Sequence, residues 1–506
     1  INHELRFLLA HYPAAYAVER TAGTHPIRQR LENLNEAGQL YGAIIYEKAP
    51  IVMRMLEELV GAETFRRGVD EYLRSHAYGN ASWPDLIDVL DRLAPSRHLK
   101  PWSHVWVEEA GRPTVAVQVA TSNGRVTGIT LAQSDPQGRG RVWTEPVTPA
   151  LVYGDSVTRR LPVLMAAAAV AVPGARGAAA PDVVLPNGAG RAYGLMVLDP
   201  YGRAALLNVL PVLRDPLARA GAWLDAWDAL QERQITPTDF MAPALRAIDV
   251  EADEQLAERI LGYTADAYWH FLSAEQRRAL APGLESLLWR KLAAAQGTSR
   301  KAAYFAALRS VALTPETVAR LRRVWARDTT IAGLPLSEQD YTTLALELAL
   351  RAPSDADSIL GAQEARIQNP DRKARLAFVR PALSPDAALR DAWFAALREP
   401  ANRRHEPWVL EGLSYLDHPL RQRESQHYIR PALDLLEEVR RTGDIFFPGR
   451  WVAAVLSGHT SPAAAAIVRD FLAQHPGYPV RLRQLVLQGA DELFRSATRA
   501  PAGEAQ

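Results

Sequence analysis

The sequence predicts a mainly α-helical protein with one small β-sandwich set between helical regions. Three observations carry this reading. Apolar residues recur at helical spacing up to residue 110, the spacing changes to alternation after Gly111-Arg112-Pro113, and helical patterning returns beyond Tyr201. A chain of 506 residues exceeds what one hydrophobic core organises, so several domains are expected. The pattern places them at 1–110 (helical), 111–200 (β-sandwich) and 201–499 (helical), with 500–506 expected to be a disordered tail.

Each element follows from local pattern. From Leu31 to about Trp106, Val52, Met55, Leu56 and Leu59 form one apolar stripe. Phe65, Val69, Tyr72, Leu73 and His76 form another. Ser82 with Asp85 three residues on is a capping-box signal, followed by Leu86, Leu90 and Leu93 on one face. In the next region Val115, Val117 and Val119 alternate, as do Val126, Ile129 and Leu131 less strictly. Turn signals stand at Ser122-Asn123-Gly124, Asp135-Pro136, Gly154-Asp155 and Asn187-Gly188. Pro173 to Pro181 reads as a low-complexity surface loop. Beyond Tyr201, Thr236-Pro237, Thr314-Pro315, Ser384-Pro385 and Ser461-Pro462 each pair a hydroxyl N-cap with Pro at the first helical position. Ser273 with Gln276 and Ser337 with Asp340 add capping boxes. Short helices over such a length predict a curved, solenoid-like (HEAT/ARM-like) array of helix pairs.

Composition narrows the function. The 58 basic and 57 acidic residues nearly cancel, so no global field favours nucleic acid or an anionic membrane. The absence of cysteine excludes disulfides, thiolate zinc sites and a cysteine nucleophile. Compartment stays open, since such a chain fits the cytosol or the periplasm equally. The stretch Leu161 to Pro173 is too short to span a bilayer and carries Pro162 and Pro173, so it reads as a strand and a loop. The chain opens Ile1-Asn2-His3-Glu4 without Met, basic n-region or apolar h-region, and a fragment or processed product is expected.

The sequence carries no recognisable metal-binding motif. A helical zinc site needs H-E-x-x-H, but His3-Glu4 is followed by Leu5, Arg6 and Phe7. His3 and His11 stand two helical turns apart with no carboxylate to complete a tetrahedron. There is no phosphate-loop or G-x-S-x-G pattern. Gly188-Ala189-Gly190 with Gly194 lies between strands and is read as a β-hairpin turn. What remains is Tyr41 to Leu56, where Tyr46 stands at the mouth of a helix. A phenol so placed can donate its O–H to an oxyanion, or it can be an ordinary packing residue.

That segment resembles the Y-x-K-[GA] region of M1 metallopeptidases, the aminopeptidase N family. Phe65, Tyr72-Leu73, His76, Asn80 and Asp85-Leu86 resemble the family's F…YL…H…N…DL run, and Trp106…Gly111…Pro113 its W-x4-G-x-P closure. Leu185-Pro186-Asn187 with Tyr193 and Asp199 resembles the strand that ends its β-sandwich. Arg219-Ala220 to Trp227-Asp228 resembles its next helical start, and Thr442 to Pro448 with Trp451 a segment of bacterial members.

The resemblance implies the helical end of a thermolysin-like catalytic domain, then the sandwich, then the helical array. It places Tyr46 on the catalytic tyrosine that stabilises the oxyanion. Members also carry G-A-M-E-N and H-E-x-x-H with a further Glu; none occurs here, and Thr24-His25-Pro26-Ile27 resembles text just after that Glu. Zn2+ is therefore implied for the parent enzyme and none for this chain. The implied partners are peptide substrates and the missing N-terminal catalytic segment, with no nucleic acid and no transmembrane segment. The implied function is the C-terminal part of an aminopeptidase, inactive alone. The alternative is a non-catalytic helical module that binds peptides or another protein. Ala49-Pro50 departs from the commoner text, and Pro50 in a first turn puts the helix start just after Tyr46.

Overall fold

The computed structural model describes residues 2–30 and 41–499. The expectations for residues 31–40 and for the 500–506 tail lie outside the described residues. The chain divides into two compact units, Ile1–Leu256 and Ala257–Gln506. The architecture is mainly helical, with a small sheet region followed by a long helical one.

In the first unit α1 (His3–Glu19) starts at Asn2, whose side chain accepts from the Leu5 N–H at 3.1 Å. After a wide turn at Ile44–Lys48 come α2 (Ala49–Val60), α3 (Ala62–Ser75), α4 (Trp83–Leu93) and α5 (Leu99–Ser103). The Ser82–Asp85 capping box forms at the start of α4, the Ser82 N–H donating to Asp85 Oδ2 at 2.8 Å. The stripe read on α3 is only half covered. Leu73 stays 62% exposed, and α3 instead packs through Gly68, where a Cβ would come within 2.3 Å of Leu90 Cδ2. Close approach of two helices, rather than a wide apolar face, joins α3 to α4.

Nine strands follow: β1 (Thr114–Ser122), β2 (Arg125–Ser134), β3 (Glu145–Val147), β4 (Ala150–Tyr153), β5 (Ser156–Arg160), β6 (Val163–Met165), β7 (Ala169–Ala171), β8 (Val183–Leu185) and β9 (Leu195–Val197). They form sheets ordered β7-β2-β1-β9, β3-β6 and β5-β4-β8. The β1–β2 hairpin turns at Asn123 and Gly124, both left-handed at φ +50° and +69°, as a two-residue turn matched to strand twist requires. Val115, Val117, Val126, Ile129 and Leu131 all face inward and are buried. The segment Asn187–Gly194 is not a hairpin. β8 pairs with β4 and β9 runs parallel to β1, so it carries the chain from one sheet to another. Buried Asn187 holds this crossing, its Oδ1 accepting from the N–H groups of Arg191 and Ala192 at 2.8 and 3.0 Å. The unit closes with α6 (Pro200–Val209), α7 (Pro216–Gln231) and α8 (Pro237–Val250). α7 is buried over most of its surface, Trp223, Leu224, Trp227 and Leu230 included.

Among the described residues the second unit contains helices and connecting loops but no strands, Ala274–Ala294 being its longest helix and Asp491–Ala497 its last. Its core includes Trp393, Leu413, Trp451 and Phe471. The capping boxes at Ser273 and Ser337 form, and the hydroxyls of Thr314 and Ser461 accept from the first turns they precede, as Thr236 does in the first unit. Ser384-Pro385 does not start a helix. Arg390 takes the carbonyls of Ser384 and Pro385 through Nη1 at 2.7 and 3.0 Å, so the helix begins at Ala387 with Asp386 as its cap. Asp386 Oδ1 accepts the Ala388 N–H at 2.9 Å. Asp386→Ala is therefore expected to speed amide exchange at Ala388 and to cost about 1 kcal/mol. Ser384→Ala is expected to leave that amide protected, which site-resolved hydrogen exchange on the two variants checks.

Candidate active site

Tyr46 lies in a widened turn rather than in regular α-helix. Pro50 has no N–H, so it cannot close the α-type bond to the carbonyl four residues back, which is that of Tyr46. The backbone opens by one residue instead, with the Ala49 N–H bonding to the Ile44 carbonyl, and Ile44–Lys48 forms one π-helical turn before α2. Wide turns of this kind gather at functional sites because they re-aim side chains. The regular α-helix does begin just after Tyr46, at Ala49.

This turn has a dry side and a wet side. Ile44 and Lys48 are completely buried, whereas Tyr46 is 53% exposed. Its hydroxyl has no hydrogen-bond partner among the described residues, and its ring lies 5.7 Å from that of Tyr41. Glu47 sits on the rim, paired with His11 Nδ1 of α1 at 2.6 Å.

Lys48 fixes the dry side. Its Nζ lies 2.9 Å from Glu19 Oε2, with both side chains at 0% exposure, and donates to the Gly111 carbonyl at 3.1 Å. Glu19 Oε1 accepts the Gly111 N–H at 2.7 Å, and Oε2 accepts the Tyr193 hydroxyl at 3.0 Å. Gly111 adopts φ +108°, a conformation that favours glycine. The turn, the end of α1, the junction before β1 and the loop before β9 thus meet at one buried ion pair. Lysine in Y-x-K offers no sign of burial in the sequence, because lysine is almost never fully buried unless paired. Only the apolar residues around it, Ile44 and Ile51, hint at it.

Beside this network Glu145 is fully buried and pushed up to about 8 by that burial, against a single opposing hydrogen bond from the Tyr193 N–H at 2.8 Å. Its other oxygen has no hydrogen-bond partner among the described residues.

Among the described residues no three of His, Cys, Asp and Glu come together as metal ligands. His3 is exposed, and His11 is taken up by Glu47. The described residues thus offer no ligand set that fits a zinc ion. Nor is any helix among the described residues long and apolar enough to cross a membrane.

A helical segment carrying an anchored, solvent-facing tyrosine, then small sheets, then a long helical region, is the order of elements that the resemblance implies. The Peptidase family M1 domain matches residues 2–110 and the ERAP1-like C-terminal domain matches residues 183–494, so this chain belongs to the M1 peptidase family. It is 27% identical over 396 residues to aminopeptidase N of Streptomyces lividans, covering 75% of this chain and 46% of that protein. It is 30% identical over 133 residues to aminopeptidase M1-A of Oryza sativa subsp. japonica, covering 26% and 15%. It is 34% identical over 114 residues to leucyl aminopeptidase of Saccharolobus solfataricus, covering 22% and 14%. The chain thus spans less than half the length of these relatives.

Two predictions follow from the buried groups. Lys48→Met leaves Glu19 charged and buried without its cation, and is expected to cost about 3–5 kcal/mol. Adding Glu19→Gln should recover part of that loss in denaturant unfolding. For Glu145, both states are neutral below about 4.5, and between that value and about 8 only the unfolded state ionises. Its burial therefore lowers stability progressively as pH rises through this window. Glu145→Gln removes the effect, so its Tm advantage over the parent should grow from pH 5 to pH 8.

Proposed function

We propose that this chain is the C-terminal part of an M1 zinc aminopeptidase that releases N-terminal residues from peptides, and that Tyr46 is its oxyanion donor. The observation that carries the reading is the wide turn anchored by buried Lys48, which holds Tyr46 half exposed with its hydroxyl unclaimed among the described residues. A packing tyrosine would bury its ring and satisfy its hydroxyl. A catalytic donor must stay open to substrate. As a peptide carbonyl turns tetrahedral, negative charge grows on its oxygen, and a fixed O–H stabilises that charge more than it stabilises the ground state. Among the described residues no three of His, Cys, Asp and Glu gather as a ligand set, so no step through a metal is assigned to them. The metal-binding part of the enzyme is proposed to lie outside this chain, in agreement with the 46% coverage of the Streptomyces lividans relative.

Two measurements test this. In the complete enzyme Tyr46→Phe should lower kcat by about 10²–10³ with KM little changed, since only the donor is lost. Its melting temperature should hardly move, because the ring is half exposed. An unchanged kcat in a folded variant removes the role. The chain alone should retain no stoichiometric zinc after dialysis and cleave no aminoacyl reporter. Chelator-sensitive cleavage by the isolated chain would show that it carries a complete site, and a natural start at this point of the gene would favour a non-catalytic binding module.

A further inference from the structure

A groove of about 680 Å³ runs between α6 and α8, away from Tyr46 in sequence and in no way needed for its role. Leu207, Ile235 and Pro243 give it an apolar lining, and Arg203, Arg233 and Arg246 bring guanidinium groups to it from three different elements. The acidic residue on the lining, Asp239, is occupied as a cap, accepting the Thr236 N–H at 3.3 Å. Arg203 donates to the Leu198 carbonyl and Arg246 to the Leu207 carbonyl at 3.2 Å. These contacts restrain both side chains and leave their charge unneutralised. Among the described residues no acidic side chain pairs with any of the three arginines.

Arg233 adds an independent observation. It follows the last turn of α7 in the left-handed region, at φ +58°. The Gln234 N–H bonds back to the Ala229 carbonyl at 2.8 Å and the Arg233 N–H to that of Leu230 at 3.1 Å, a helix end whose left-handed position normally takes glycine. A long cationic side chain here stores backbone strain that glycine would relieve. Arg327 has the same conformation, but its guanidinium stacks over the Tyr341 ring at 4.7 Å. The Arg233 side chain is exposed and has no such partner among the described residues.

We propose that this groove binds a short acidic peptide segment, whose carboxylates pair with Arg203, Arg233 and Arg246 while its aliphatic portions lie on Leu207, Ile235 and Pro243. Guanidinium matches carboxylate through paired hydrogen bonds and remains charged at every working pH. Cations drawn from three elements over an apolar lining suit carboxylates spaced along a chain better than one compact anion. The formal charge of +1 leaves no extended field for nucleic acid.

The test uses the full chain and a fluorescein-labelled octapeptide alternating Glu with Leu, compared by anisotropy with its Gln-for-Glu counterpart. The acidic peptide is expected to bind at least about tenfold tighter, a difference that shrinks as salt rises. Arg233→Gly should weaken the acidic peptide by roughly tenfold and raise Tm by about 1–3 °C, because glycine relieves the strain. Arg233→Lys should retain intermediate affinity. Equal affinity for the two peptides, or unchanged affinity in Arg233→Gly, overturns the proposal. So does inorganic phosphate or a single-stranded oligonucleotide that displaces the peptide at concentrations below the peptide's own Kd.

Discussion

The buried Glu19–Lys48 ion pair is the constraint on which the first unit depends. Removing two such charges from water costs several kcal/mol each, and their attraction offsets this only where the remaining lone pairs and protons are also satisfied. Here the Gly111 N–H and the Tyr193 and Thr24 hydroxyls donate to the carboxylate, and the Gly111 carbonyl accepts from the ammonium. The pair is therefore tolerable only when α1, the wide turn, the junction before β1 and the crossing loop before β9 arrive together. Each segment is fixed by the requirement of the others.

A second pair lies alongside and uses the next residue of two of the same segments. Arg112, following Gly111, reaches Asp228 of α7 at 2.8 Å and lies over the Tyr16 ring at 3.9 Å, while Arg20, following Glu19, stands 3.5 Å from the same carboxylate. Asp225, one turn earlier on α7, is held well above the usual carboxylate range by burial and by the neighbouring charge of Asp228. One anion thus faces two guanidinium groups, and the second acid is spared the cost of ionising in a dry site. This explains how α7 can be buried over most of its surface and still carry two aspartates.

The parts of this fold that were legible in the sequence are those set by local rules. Asn123-Gly124 specifies its hairpin because both positions need left-handed backbone, and Ser82, Ser273 and Ser337 specify helix starts because their partners lie three residues on. Only resemblance singles out Tyr46, since nothing in its spacing separates a donor from a packing residue. What was not legible depends on distant partners. Nothing local marks Lys48 as buried, because Glu19 and Gly111 reach it from distant parts of the chain. Ser384-Pro385 reads as a helix start until Arg390 removes its carbonyls. Asn187-Gly188 reads as a hairpin turn because pairing of β8 with β4 and of β9 with β1 leaves no local signature.

The spacing of tyrosine and lysine itself has a physical meaning. Residues two apart in a helical turn face roughly opposite sides, so burying Lys48 turns Tyr46 outward and leaves Glu47 at the edge, where it meets His11. An arginine would serve poorly in place of Lys48. The ammonium is compact and fits between Glu19 and the Gly111 carbonyl, 5.6 Å from the Tyr193 ring centroid, whereas a planar fork carries five donors that this closed space would have to satisfy. Pro50 then acts on the other side of the turn by withholding a helical bond from the Tyr46 carbonyl. The exposure of Tyr46 is in this sense a consequence of the core beneath it: the residue two positions on must be buried and charged, and the backbone between them is kept wide.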